Sequence, residues 1–178
     1  MKTFLFIWSA AVFSIYCGVE IVKRVDPLPP SIIYYAPAPT VEKPSLSQTI
    51  ETETQRHGLP EGLIEAVIEQ ESEGKSKAKN PEPKLCAEMT PKGWRKADCM
   101  SRGLMGVVYG WHKDKCGLKK PSDLYDPITN VQCGAAVLKE KITLAKGDIQ
   151  RGLNLYNGDK SGRYARAVTA KWRKVFNG

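Results

Sequence analysis

The sequence predicts a mainly α domain, and three observations carry that reading. Apolar residues recur at helical spacing in three separate stretches, within 63–68, 131–142 and 164–175. Asp126-Pro127 sets a capping residue and a first-turn proline directly ahead of the second stretch. Nowhere in the 178 residues does a sustained apolar–polar alternation of strand type occur.

The chain opens on Met1-Lys2 and an apolar run from Thr3 to Val22, broken only by Glu20. A run of about 20 such residues is long enough to span a bilayer. Residues 1–24 are therefore expected to form an N-terminal hydrophobic helix, either a signal-anchor or a signal peptide. A cleavage site needs small residues just beyond the apolar core; Ala10-Ala11 comes too early, and Ala36-Pro37-Ala38 runs into Pro39. Those features favour a retained anchor. Cys17 follows the bulky Tyr16, where lipid attachment needs small residues, and reads as an apolar membrane residue. Lys2 on one flank and Lys23-Arg24 on the other leave orientation open. Residues 25–48 contain Pro27, Pro29, Pro30, Pro37, Pro39 and Pro44, a composition that denies a helix its donors and favours an extended linker. The globular domain is expected over 49–178.

Within it, the first helix is expected to open near Pro60 and to bury Leu63, Ile64, Val67 and Ile68, with Glu65, Glu69 and Glu73 outward. A second runs from Asp126-Pro127 and buries Val131, Ala135, Leu138 and Ile142. A third spans Asp148 to Tyr156-Asn157, and the last, about 162–176, aligns Tyr164, Val168, Trp172 and Val175. Between the first helix and residue 101 lies an irregular segment with Pro81, Pro83, Pro91 and Gly93, a candidate for a small hairpin.

Four cysteines follow the apolar run, Cys86, Cys99, Cys116 and Cys133, without the C-x-x-C spacing of zinc or redox sites. Two disulfides are the expectation, which puts the domain in an oxidising compartment. Of the three connectivities, the sequence-local one (Cys86 with Cys99, Cys116 with Cys133) is favoured. His57 and His112 lack the clustering of a metal site, and no cofactor is implied. The net charge of +8 attracts polyanions. A nucleic-acid partner is not expected, because no recognition motif accompanies the basic residues Arg163, Arg166, Lys171, Arg173 and Lys174.

Glu71 lies in the same helical stripe as Ile64, Val67 and Ile68. A carboxylate on an apolar face must be neutral, paired or at the edge of a cavity, and burial raises its pKa toward the range a general acid needs. Around it the sequence resembles the lytic transglycosylases (SLT type) of the goose-type lysozyme superfamily. The resemblance rests on Glu71-Ser72 at a helix end, Gly103-Leu104-Met105 in a Gly-Leu-Met-Gln-like element, and Asp126-Pro127 with Asn130. Leu155-Tyr156-Asn157-Gly158 and Tyr164-Ala165-Arg166-Ala167-Val168 complete it. Order and spacing agree from about residue 57 to 176.

The resemblance implies a lysozyme-like helical domain with a small irregular or β-hairpin insert, and a peptidoglycan lytic transglycosylase. Glu71 would be the catalytic acid and base, cleaving the bond between N-acetylmuramic acid and N-acetylglucosamine to leave a 1,6-anhydromuramic end. Ser72, Met105, Tyr156 and Asn157 would bind substrate or shape the groove, and Tyr164 would set its hydroxyl beside Glu71. Partners would be peptidoglycan glycan strands, the membrane through the N-terminal segment, and an envelope-spanning or virion complex of a conjugation, secretion or bacteriophage machine. The location would be the periplasmic side of the inner membrane or a phage membrane. Two departures stand out: Gly106 replaces the family's glutamine, and the stretch between Glu71 and Gly103 is longer than usual, forming a lid, a partner surface or a stapled loop. A muramidase using water, and an inactive glycan-binding or assembly subunit, are the alternative functions.

Overall fold

The computed structural model describes residues 43–177, so the expected hydrophobic helix over 1–24 and residues 25–42 of the expected linker lie outside the described residues, while the linker's last residues, from Leu46, already belong to a helix. The described part is mainly α, with a small sheet. Helix α1 (Leu46–His57) was not foreseen from periodicity, because its inward positions are polar: Thr49 and Glu53 are its buried residues. Ser45 starts it through a reciprocal capping box with Gln48, and Gly58 ends it in the left-handed conformation at φ 54°. Glu53, only 1% exposed, pairs one turn on with the Arg56 guanidinium at 3.3 Å, and His57 Nε2 lies 3.3 Å from its other oxygen.

Helix α2 (Leu63–Ser72) begins three residues later than Pro60, because Gly62 adopts φ 73° and interrupts the helical path. Leu63, Ile64, Ala66 and Val67 are fully buried along it, each large side chain stabilising by about 1.5–3 kcal/mol. The helix stops at Glu73, itself left-handed at φ 51°, so Glu71 occupies the last turn.

The stretch beyond α2 contains more structure than a hairpin. Strands β1 (Lys79–Pro81), β2 (Met100–Arg102) and β3 (Val107–Val108) form an antiparallel sheet in the order β1-β2-β3, with Ser101 opposite both Asn80 and Val108. Strands this short show no alternation for a sequence pattern to detect. Between β1 and β2 sits helix α3 (Pro83–Met89), started by its proline. Cys86 on α3 is bonded to Cys99 at the foot of β2. A single-turn helix, α4 (Tyr109–His112), follows β3, and Cys116 just beyond it is bonded to Cys133.

Helix α5 (Pro127–Leu144) opens where the capping signals put it: Asp126 accepts from Thr129 N at 2.9 Å. It packs against α1 on one side and α6 (Ile149–Asn157) on another, while α7 (Arg163–Asn177) packs on α2 and α6. On α7, Tyr164 and Val168 are buried and Trp172 donates from its indole to Glu61 O at 2.7 Å, whereas Val175 is 51% exposed.

The Cys116–Cys133 link closes a loop of 17 residues onto α5. Replacing both cysteines by serine is expected to cost about 3 kcal/mol, read by calorimetry as a fall in Tm on the order of 10 °C. Thiol titration of the denatured, unreduced full chain should find no more than the single thiol of Cys17.

Candidate active site

The turn between β2 and β3 brings the site together. Gly103 must adopt φ 74°, and a Cβ there would fall within 2.6 Å of the Asn130 side chain. Asn130, on the first turns of α5, is fully buried and fully bonded. Its oxygen accepts from Met105 N at 2.8 Å, and its amide donates to Arg102 O and Leu124 O at 2.9 Å each. The Ser72 hydroxyl donates to Leu104 O at 2.8 Å, with Ile68 O at 3.0 Å on its own helix. The Tyr156 hydroxyl donates to Met105 O at 2.6 Å. Side chains from α2, α5 and α6 thus hold the backbone of one short turn, and leaving any of these buried partners unsatisfied would cost about 1–3 kcal/mol.

That turn ends on Gly106, which touches Glu71. Gly106 has φ 61°, and a Cβ there would lie 2.9 Å from Glu71 Cδ and nearer still to Oε2. On its other side the carboxyl accepts a hydrogen bond at Oε1 from the Tyr164 hydroxyl at 2.6 Å. The carboxyl is thus held between the Gly106 backbone and the Tyr164 hydroxyl.

Burial pushes the Glu71 pKa up from the ordinary 4.5 to about 7. The Tyr164 hydrogen bond pulls it down, the Glu82 charge raises it, and the Asn157 side chain pulls down again more weakly. Burial wins, and the group titrates near neutrality. The Tyr164 phenol is held far above its ordinary value, first by burial and then by the Glu71 charge, so it stays a donor.

Glu71 opens onto a cleft of about 880 Å³ whose walls include Glu82 and Leu85 from the stapled segment, Trp111, Val137 of α5, and Tyr156-Asn157 at the end of α6. The long segment after Glu71 is thus a wall of this cleft, fastened by Cys86–Cys99. Its charges alternate: Lys84, Lys115 and Lys141 face a lining that also holds Glu82, Glu88 and Glu140. Glu140 is engaged by both Lys115 and Lys141, and burial lowers the His112 pKa to about 4, leaving the imidazole neutral.

Of the residues expected at the site, Glu71, Tyr156, Asn157 and Tyr164 lie together. Ser72 and Met105 lie beneath the cleft. Ser72 is turned onto backbone carbonyls, and Met105 is fully buried, its Cβ within 2.7 Å of where a side chain on Gly134 would begin. Asn130 was named only as part of a helix-start motif, although an amide on the inward face of α5 carries the same signal that singled out Glu71: a polar group among apolar neighbours. Glu82 had no such signal, and Trp111, a residue type able to stack on sugar rings, could not be placed from sequence because its segment has no periodicity to give it a face.

A mainly helical domain with one shielded glutamate at the rim of an open cleft is a lysozyme-like domain. Residues 48–173 match the family described as Transglycosylase SLT domain, more than two thirds of the chain, and the protein belongs to that family. No curated protein and no solved structure matches it significantly.

Proposed function

We propose that the protein is a peptidoglycan lytic transglycosylase in which Glu71 is both acid and base. The observation that carries this reading is the carboxyl itself: shielded, near-neutral in pKa, bonded at one oxygen by Tyr164, and lining a cleft. Protonated Glu71 gives its proton to the glycosidic oxygen between N-acetylmuramic acid and N-acetylglucosamine. The C1–O bond breaks and the N-acetylglucosamine side leaves with that proton. The muramic C6 hydroxyl oxygen bonds to C1, closing the 1,6-anhydro ring, and its proton passes to the Glu71 carboxylate. Glu71 ends protonated, no water is consumed, and the enzyme is ready to act again.

Tyr164 orients the carboxyl and keeps it bonded in both protonation states. Ser72, Asn130 and Tyr156 are positioning residues that act through the turn ending at Gly106. Asn157 at the cleft wall is placed to bind sugar. The mixed charge of the cleft suits an uncharged sugar backbone better than a polyanion, which speaks against nucleic acid as the ligand. The N-terminal apolar run, the Pro-rich linker and the disulfides support an anchored enzyme on the periplasmic face of the inner membrane or in a phage-derived envelope complex.

A muramidase on the same fold is the second reading, favoured by Glu82, a second carboxylate in the same cleft that is available to activate water. Mass spectrometry of digested sacculi separates the two. The lyase leaves anhydromuramic ends, and reducing muramic ends in their place would overturn it.

Tyr164→Phe removes the strongest downward pull on the Glu71 pKa, so the group should stay protonated to higher pH. The alkaline limb of the pH–rate profile, expected near 7 in the wild type, should move upward while the maximal rate falls. An unmoved limb would disconnect Tyr164 from the acid.

A further inference from the structure

One wall of the cleft takes no part in the chemistry at Glu71. Five residues beyond Gly106, Trp111 is 54% exposed and lines the same cleft. Large exposed indoles forgo burial, and one that sits in a groove is well suited to holding something there.

The indole is braced from behind. Trp94 meets it edge to face, with ring centroids 5.1 Å apart and planes at 72°. Trp94 in turn lies against the backbone of Gly110, where a Cβ would come within 2.6 Å of its six-membered ring. Only glycine lets the two tryptophans approach in this way. Gly110 N donates to Asp98 O at 2.8 Å, and the Asp98 carboxylate receives the Arg95 backbone N–H at 2.9 Å and its guanidinium at 2.9 and 3.0 Å. The platform on α4 is therefore braced by the segment stapled by Cys86–Cys99.

We propose that Trp111 stacks against a pyranose ring of the bound glycan, forming a sugar subsite away from the cleaved bond. This rests on reading the cleft as a glycan site. The C–H-rich face of a pyranose matches the apolar, electron-rich face of an indole. In the same cleft, Lys115, Glu140 and Lys141 offer donors and acceptors for hydroxyl and acetamido groups, the one carboxylate shared between the two lysines. By the rise of a strand and then a helical turn, the Trp111 Cα lies within roughly 13 Å of the Gly106 Cα, a short way along a bound strand from Glu71.

Isothermal titration of tetra-N-acetylchitotetraose into Glu71→Gln, which binds without turnover, tests the subsite. Adding Trp111→Ala should weaken binding roughly tenfold, and Trp111→Phe should keep most of it. In the active enzyme acting on soluble glycan strands, Trp111→Ala should raise KM and change kcat by less than about twofold. A thermal melt matching the parent confirms that the exposed ring is dispensable for folding. Affinity unchanged in Trp111→Ala, a loss confined to kcat, or no chitotetraose binding to the parent would each overturn the platform. Trp111-dependent binding by a wild type that cuts no sacculi would uphold the subsite and sink the enzymatic reading. Cutting with Trp111-independent binding would do the reverse.

Discussion

Glu71→Gln is expected to lose lysis of purified sacculi by a factor of about 10²–10⁴, followed as turbidity, while the fold is retained. The amide oxygen of glutamine can still accept from Tyr164, so the residue keeps its 2.6 Å partner and loses only the proton it donates and retrieves. The same variant has a second signature in stability. A carboxyl whose folded pKa is about 7 against an ordinary 4.5 favours the folded state fully below about pH 4.5, and that contribution is lost as pH rises through 7. Above pH 7 the ionised group costs about 3 kcal/mol relative to acid conditions. Glu71→Gln should therefore melt higher than wild type at pH 8, the advantage shrinking to nothing near pH 4. Wild-type lysis rates in the glutamine variant would remove Glu71 from the mechanism, and equal melting at both pH values would remove its burial.

Restoring the family's residue with Gly106→Gln is expected to harm the enzyme. Two costs coincide at this position. The backbone is left-handed at φ 61°, which costs a residue with a Cβ about 1–2 kcal/mol. The new Cβ also needs the space held by the Glu71 carboxyl. The end of a glutamate is flexible, so the carboxyl yields, turns away from Gly106 and breaks its bond to Tyr164. Displacing a reacting group by about 1 Å costs on the order of 100-fold in rate. Gly106→Ala shares the Cβ and should lose activity too, with a smaller change in the cleft. Steady-state rates and melting temperatures of both variants measure this, and a Gly106→Gln enzyme faster than wild type would refute the fit described here. On this account the glycine that departs from the family pattern accommodates the acid.

How much could be read in advance depended on whether a residue had a periodic context. The positions of α5, α6 and α7 followed from Asp126, Asp148 and the apolar stripes, because caps and burial act within a few residues along the chain. Glu71 was legible for the same reason, as an acid inside a stripe. Helix α1 was not, since it turns Thr49 and Glu53 inward and its buried carboxyl is paired with Arg56 and contacted by His57 rather than set among a hydrophobic stripe. The position of the cleft wall was not legible either: Glu82 and Trp111, the latter recognisable only as a residue type that stacks on sugars, are brought to one cleft with Glu71 by a three-residue strand, a two-residue strand and a disulfide. Ser72 and Met105 illustrate a different limit. A motif tells which residues gather at a site, whereas hydrogen bonds to Leu104 O and packing on Gly134 decide which of them face into the floor.

Titrating the glutamate side-chain carboxyls by 13C NMR, with Glu71 assigned by its absence in Glu71→Gln, tests the acid most directly. A midpoint near 7 is the predicted result. A midpoint near the ordinary 4.5 would mean that Glu71 is already ionised where the enzyme must donate a proton, and the mechanism proposed for this cleft would fall with it.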